Sequence, residues 1–257
     1  MLGVSSSLQA KNFVKRPVTT STTFTDSSSD FIAVSNHADL QVATGGGVGS
    51  DFSVSFWIKL TEDASGTSNK DGYIGLKSGV FRGGGFYMWY NDASSDDESI
   101  ELFTSTASAQ ASVSTDTDLD HDVWYHIAAT YDVSTTTGKI YVDGVLSATN
   151  TSLTAPTQYT GDVHVGSSDA GSKFVSSVTS EVAFWKGTIL DSDDIEFLWN
   201  NKPDLVNFIP LPTAYWLLDE TSSTGSDKVI DEIGNHHGTS SGLADSDFDT
   251  EDNPTGI

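Results

Sequence analysis

Apolar and polar residues alternate along several short segments of the chain, and polar turns separate these segments. In the segment 52–60, FSVSFWIKL, every second residue is large and apolar. A period of two is typical of a strand that buries one face. The segment 123–132, VWYHIAATYD, repeats the pattern. Many short strands with regular polar turns predict an all-β fold, a two-sheet antiparallel jelly-roll sandwich.

The strongest turn signal is Asp143-Gly144, which lies between two β-forming dipeptides. A two-residue Asp-Gly loop favours a tight type I′ hairpin, because glycine accepts a positive φ at little cost.

One short helix is predicted in the segment 190–201, LDSDDIEFLWNN. Asp191 or Ser192 can cap its N-terminus. Apolar residues recur at spacings of three and four, which indicates one buried face. Pro203 follows and cannot continue a helix.

Composition divides the chain into four parts. They are an N-terminal arm at 1–24, the jelly roll at 25–202, a linker and C-terminal strand segment at 203–242, and an acidic tail at 243–257. The arm carries Lys11, Lys15 and Arg16, a quarter of all basic residues. It is predicted to be either a floppy terminus or an assembly arm that anchors the protein to an acidic neighbour, such as a second copy.

Charge and residue usage exclude several classes of protein. The chain has 36 acidic against 12 basic residues, a formal net charge of -24 and a pI near 4.1. Phosphate binding needs clustered cations, so we expect no nucleic-acid partner. The absence of cysteine excludes a disulfide scaffold and a thiolate metal site. We see no export signal or membrane-spanning stretch, and expect no membrane insertion.

The order of these elements resembles the laminin-G-like jelly roll of the concanavalin A-like lectin/glucanase superfamily. The resemblance rests on the strand at 52–60, the Trp-Tyr-His strand with the Asp-Gly hairpin, and the strand EVAFWKG that leads into the capped helix. It covers about residues 30–202 and implies two curved antiparallel sheets. Members of the family bind carbohydrates, often with Ca²⁺ at a sheet rim, or serve as adhesion and structural modules, and some relatives are glycosidases.

The family's usual first element is out of place in this chain. That element is an aromatic strand ending in Leu-Asp-Glu, then an Asp turn and a Gly-Asn-X-X-Gly corner, and a matching stretch occurs at 215–238. The order fits a circular permutation, the front of a second copy, or a strand donated to another subunit. We favour a segment that folds onto its own domain, because a lone apolar edge strand would be exposed and sticky.

No arrangement of residues predicts catalysis. Glycosidases need two carboxylates flanking the scissile bond, whereas Glu98 and Glu101 are three apart and point to opposite faces of a strand. His236-His237 is the only histidine pair and lies in a Gly-flanked turn without zinc spacing. We therefore expect a protein that is not an enzyme.

The candidate ligand site is the segment FYMWYNDASSDDE, where aromatic residues meet an acidic loop. Trp89, Tyr90, Asn91 and Asp92 are the candidate glycan-binding residues. Asp92, Asp96 and Asp97 are the candidate Ca²⁺ ligands, since Ca²⁺ prefers carboxylate oxygens. The alternative is a sheet edge beside a solvated loop.

Two functions remain open at this point. The first is a non-catalytic structural or adhesion module on the surface of a virus particle, such as a phage capsid-decorating or tail protein. It would form a homo-oligomer, bind other virion proteins and contact a cell-surface glycan. The alternative is an extracellular stand-alone lectin or bacterial adhesin module, with Ca²⁺ as its candidate cofactor.

Overall fold

Alternating strands build two antiparallel sheets in the computed structural model, which describes residues 21–25, 30–43, 49–61, 72–91, 98–116, 118–166, 175–220, 229–249 and 254. These residues form fifteen strands and one α-helix, α1 (Ser192–Asn201). The strands are β1 (Ser21–Phe24), β2 (Phe31–Val34), β3 (Phe52–Leu60), β4 (Gly72–Val80), β5 (Gly84–Asn91), β6 (Ser99–Ser105), β7 (Gln110–Ser114), β8 (Trp124–Asp132), β9 (Thr137–Val142), β10 (Val145–Asn150), β11 (Val163–Val165), β12 (Ser177–Lys186), β13 (Ala214–Trp216), β14 (Gly238–Ser241) and β15 (Phe248–Asp249).

The strands divide into two sheets. Sheet I has the order β10-β9-β8-β3-β12-β1-β15, and β13 also pairs with β12. Sheet II has the order β14-β2-β11-β4-β5-β6-β7. Neighbouring strands in both sheets run antiparallel. The predicted two-sheet sandwich with one short helix is confirmed.

Large apolar side chains from both sheets fill the space between them. Phe52 of sheet I stacks on Phe86 of sheet II with 4.4 Å between ring centroids. Phe184 packs against the same Phe86 ring at 5.5 Å. Each side chain of this kind contributes about 1.5–3 kcal/mol when fully buried. The alternation in 52–60 and 123–132 therefore identified the inner face of sheet I correctly.

The outer face of sheet I is also covered, which the alternation did not predict. Helix α1 buries Ile195 and Leu198 against Trp185 of β12, with Phe208 and Tyr215 in the same cluster. As a result nearly every residue of β3 is buried, not only one face. When a second layer covers the outer face of a sheet, the side chains on both faces of a strand must be apolar or hydrogen-bonded within the protein.

The predicted helix and hairpin are confirmed in detail. The Asp191 carboxylate accepts a hydrogen bond from the Asp194 backbone N–H at 2.8 Å, and the Asp194 side chain reaches back to the Asp191 N–H. This capping box satisfies two donors at the helix end. Asp143 and Gly144 both have positive φ, 48° and 77°, as a type I′ turn requires.

The C-terminal segment adds strands to both sheets of its own chain. β13 pairs with β12, with Tyr215 opposite Ala183. β14 pairs with β2, with Gly238 opposite Val34. The segment thus lies in space between the last and the second elements of the family order, although it comes last in the chain. Its origin in a circular permutation stays a prediction.

The ends of the sandwich differ from the composition-based boundaries. Residues 21–24, assigned by composition to the arm, form β1 and pair with β12. Leu243 and Phe248, assigned to the acidic tail, are buried in the core, and Phe248 lies opposite Thr22. These two apolar side chains hold the acidic stretch against the edge of the sandwich. The strand predicted at Tyr215–Leu218 is shorter, since Leu218 has a positive φ of 62°.

Helix α1 has ten residues, and the described part of the chain contains no helix of the length and apolarity needed to cross a membrane.

Candidate functional site

The outer face of sheet II carries an aromatic and polar cluster on β5 and β6. Trp89 lies opposite Glu101 in the strand register. The Asn91 side-chain amide donates to Glu101 Oε1 at 2.9 Å. The Trp89 ring meets Phe103 edge-on with 6.5 Å between centroids. We call Trp89, Asn91, Glu101 and Phe103 the aromatic cluster.

Strand pleating places Tyr90 on the opposite face of the sheet from Trp89 and Asn91, although the sequence grouped these residues in one site. Successive side chains of a strand point to opposite faces, so Trp89 and Asn91 lie on the outer face while Tyr90 points inward. Tyr90 is 2% exposed and belongs to the core, and its hydroxyl lies 3.4 Å from His121 Nε2. Tyr90 is therefore corrected from a ligand residue to a core residue.

The remaining predicted site residues lie outside the described part of the chain. They are Asp92, Asp96 and Asp97 of the candidate Ca²⁺ site and Lys11, Lys15 and Arg16 of the assembly arm. Their roles stay predictions.

Glu98 and Glu101, the two glutamates of this region, have different partners. Glu98 Oε2 lies 3.3 Å from His121 Nε2. Glu101 accepts from Asn91 and is 7% exposed. Each carboxylate is thus held in its own contact.

A groove of about 600 Å³ opens on the other side of the molecule, between β8, β9 and the turn before α1. Thr130, Lys139, Tyr141, Ile189 and Asp191 contribute to its lining. Burial, followed by the nearby Asp191 carboxylate, raises the pKa of Tyr141. The groove combines one cation, hydroxyls and apolar surface, as ligand grooves do.

The rim of sheet II brings together three residues that the sequence did not connect. His236 Nε2 lies 3.3 Å from His37 Nδ1 and 3.7 Å from Asp39 Oδ2, while His37 Nδ1 lies 3.2 Å from the same Asp39 oxygen. We call these residues the rim cluster. Sequence reasoning set aside His236 because its partners lie about two hundred positions away. The Gly-flanked His-His turn was the only local signal.

Asp231 holds the corner that presents His236. Its side chain is fully buried. Its carboxylate accepts backbone hydrogen bonds from Tyr215, Ile233 and His236 at 3.0–3.1 Å. Burial raises the pKa of Asp231, but backbone N–H donors lower it by more, so the net shift is downward. The corner is therefore built around an ionised carboxylate.

The same corner is tied to strand β13 by a tryptophan. Trp216 is fully buried, and its indole N–H donates to the His236 carbonyl at 2.8 Å. A buried indole needs such an acceptor. The aromatic strand and the histidine corner therefore form one unit.

Comparison with known proteins identifies the family. The model of the concanavalin A-like lectin/glucanases superfamily matches residues 26–196. No curated protein sequence matches the chain. A Bacteroides ovatus ATCC 8483 protein proposed to bind carbohydrate has the same fold, with a TM-score of 0.66 and 20% identity, over 92% of this chain and 61% of that one. The binding domain of Paraclostridial Mosquitocidal Protein 1 matches with a TM-score of 0.50 and 14% identity, over 66% of this chain and 40% of that one.

This chain thus spans less than two thirds of either solved structure, and likeness at such identity concerns the fold alone. The family model covers well over half of the chain and agrees with the two-sheet architecture. The protein belongs to the concanavalin A-like lectin/glucanases superfamily.

Proposed function

We propose that this protein is a non-catalytic glycan-binding module that binds sugar at the aromatic cluster. The observation that carries the proposal is the position of Trp89 on the outer face of a lectin-family sheet, next to the Asn91–Glu101 pair. The solved structure of similar fold from Bacteroides ovatus was itself proposed to bind carbohydrate, which supports this choice.

The chemistry of the cluster suits a sugar. Trp89 is partly exposed and is packed at one ring edge by Phe103, so its orientation is held before a ligand arrives. An aromatic face packs against the apolar C–H face of a sugar ring. Asn91, held in place by the buried Glu101, supplies an amide for sugar hydroxyls. A few fixed polar groups beside an apolar surface are typical of ligand sites.

The virion-surface hypothesis receives no support from the family or from the related folds, which favour the glycan-binding alternative. Three further features are predicted from the sequence alone, and we keep them as parts of the proposal. They are an extracellular location, a homo-oligomer and dependence on Ca²⁺. A glycan-binding module acts where glycans are displayed, which agrees with an extracellular place of action.

A glycan array probed with the labelled full chain tests the proposal. We expect binding to a defined set of glycans, and a loss of at least about tenfold for Trp89→Ala, the equivalent of about 1.4 kcal/mol. Phe81→Ala is the matched control, because Phe81 is an aromatic residue that is 60% exposed outside the cluster. It should bind as the unchanged protein does.

Further arms of the same array separate the alternatives. Loss of binding in Lys139→Ala, with Trp89→Ala unaffected, would move the site to the groove. Loss of binding in EDTA that Ca²⁺ restores and Zn²⁺ does not would support a Ca²⁺ site at Asp92, Asp96 and Asp97. No binding to any glycan, or hydrolysis of the bound one, would contradict the proposed function.

A further inference from the structure

We propose that the rim cluster of His37, Asp39 and His236 binds a divalent transition-metal ion of the zinc type. The proposal does not depend on glycan binding, because the rim cluster and the aromatic cluster involve different strands of sheet II.

The three ligand atoms already have the separation that a small metal ion requires. They lie 3.2, 3.3 and 3.7 Å from one another. Zinc binds histidine nitrogen and carboxylate oxygen at about 2.0–2.1 Å, so two ligands of a tetrahedral ion lie about 3.4 Å apart. A point equidistant from the three atoms lies about 2.0 Å from each of them in their plane, so an ion fits with little movement.

The imidazole of His236 is oriented by Asp231. His236 Nδ1 lies 3.0 Å from Asp231 Oδ2. This contact turns Nε2 towards the rim, where it faces His37 and Asp39. A buried carboxylate that orients a histidine in this way is the usual support of a metal-binding imidazole.

His37 contributes the second nitrogen. Its Nδ1 accepts a hydrogen bond of 3.3 Å from the Asp39 backbone N–H, and an ion bound at this nitrogen would replace that contact. Two imidazole nitrogens and a carboxylate oxygen therefore converge on one point. A divalent ion at that point would replace the contacts among the three side chains and offset the charge of the carboxylate.

The donor set selects the class of ion. Two imidazole nitrogens and one carboxylate oxygen suit zinc, copper, nickel or cobalt, whereas Ca²⁺ and Mg²⁺ prefer oxygen ligands only. The side chains of His37 and Asp39 are 57% and 59% exposed. The remaining coordination positions consequently face solvent and can hold water or another small ligand.

Metal binding would also join distant parts of the chain. His37 follows β2, and His236 belongs to the corner that precedes β14. An ion held by both cross-links the C-terminal segment to the body of the sandwich. Since the ion binds the folded protein, it stabilises the fold in proportion to the logarithm of its concentration over Kd.

Titration of the metal-free full chain with Zn²⁺ alone, followed by calorimetry, tests the site. We expect one tight ion per chain and a rise in Tm with Zn²⁺. His37→Ala and Asp39→Ala should each weaken binding at least about tenfold and abolish the rise in Tm. Both residues are exposed, so neither change should prevent folding. Co²⁺ should give the intense visible absorption of a tetrahedral site.

The control variant is His121→Ala, which removes another histidine that lies beside a carboxylate. It should bind Zn²⁺ as the unchanged protein does. Weak binding to the acidic surface would behave differently: His37→Ala would leave it intact and excess Ca²⁺ would displace it. That result, or the absence of any bound ion, would overturn the proposal while leaving the glycan array unaffected.

Discussion

The imidazole of His126 on β8 lies 2.8 Å from the hydroxyl of Ser55 on β3, through Nε2, in a position that is 1% exposed to solvent. Trp57 packs on the same imidazole at 5.1 Å between ring centroids, and Lys202 lies over the Trp57 ring. Burial, followed by the positive charge of Lys202, lowers the pKa of His126 to about 3.

His126 should make the fold sensitive to acid. Its folded pKa is depressed below the usual value of 6.5. The associated stability is therefore present above pH 6.5 and is lost as the pH falls towards 3, because the unfolded chain takes up the proton first. We expect a loss of about 2–3 kcal/mol between pH 6.5 and 4.5 from this residue. Urea unfolding at several pH values measures it.

The comparison variants for His126 separate titration from packing. His126→Gln should flatten the pH dependence over this window. Ser55→Ala removes the hydrogen-bond partner but leaves the imidazole, so it should cost about 1–3 kcal/mol while the pH dependence persists. An unchanged slope in His126→Gln would show that another group causes the acid sensitivity.

Glu220 should make the fold less stable as the pH rises, which is the opposite of the effect of His126. Burial raises its pKa to about 7, against the backbone hydrogen bond from Ile230. Its Oε2 is buried and has no hydrogen-bond partner among the described residues. The stability linked to the protonated form is complete below pH 4.5 and is lost as the pH rises through 7. Glu220→Gln should thus stabilise the protein by about 1–3 kcal/mol at pH 8.

The gain in Glu220→Gln should disappear at pH 4.5, since the native carboxyl is then already neutral. Glu196→Gln is a suitable control, because Glu196 is an exposed acidic residue on α1 and is not among the charges that raise the pKa of Glu220. It should change stability by less than about 0.5 kcal/mol at either pH. Equal effects of Glu220→Gln at both pH values would rule out titration as the cause.

Gly75 should be intolerant of any side chain. Its φ is 58°, and an added Cβ would lie 2.5 Å from the Phe56 ring, which is fully buried. Gly75→Ala should therefore combine backbone strain with a steric clash and cost about 3 kcal/mol or more. Gly187→Ala separates the two effects, since Gly187 has a φ of 74° and no atom near its Cβ position. Gly187→Ala should cost only about 1–2 kcal/mol. If the two substitutions lower the free energy of unfolding equally, the contact with Phe56 does not contribute to the cost at Gly75.

Trp216 tests whether the C-terminal segment belongs to its own core. Its side chain lies among the residues that fill the sandwich and is fully buried. Trp216→Ala should cost about 3–5 kcal/mol, as for other buried tryptophans. Leu211→Ala, at a position that is 53% exposed, should have little effect. If Trp216→Ala leaves the unfolding free energy of the monomer unchanged, the segment does not complete this sandwich.

Several features of the fold were determined by the sequence itself. The alternation in 52–60 assigned the inner face of β3, the Asp143-Gly144 pair specified the hairpin between β9 and β10, and Asp191 marked the start of α1. Each signal depends on neighbours within a few residues, where the periods of strand and helix relate sequence position directly to direction in space.

Other features were decided only by the tertiary structure. The cover on the outer face of β3, the inward position of Tyr90 and the meeting of His37 with His236 depend on which strands are adjacent. Adjacency follows from the path of the whole chain, because β2 and β14 pair although most of the sequence lies between them. A local pattern carries no information about such a partner, so the rim cluster exists only once both sheets have formed.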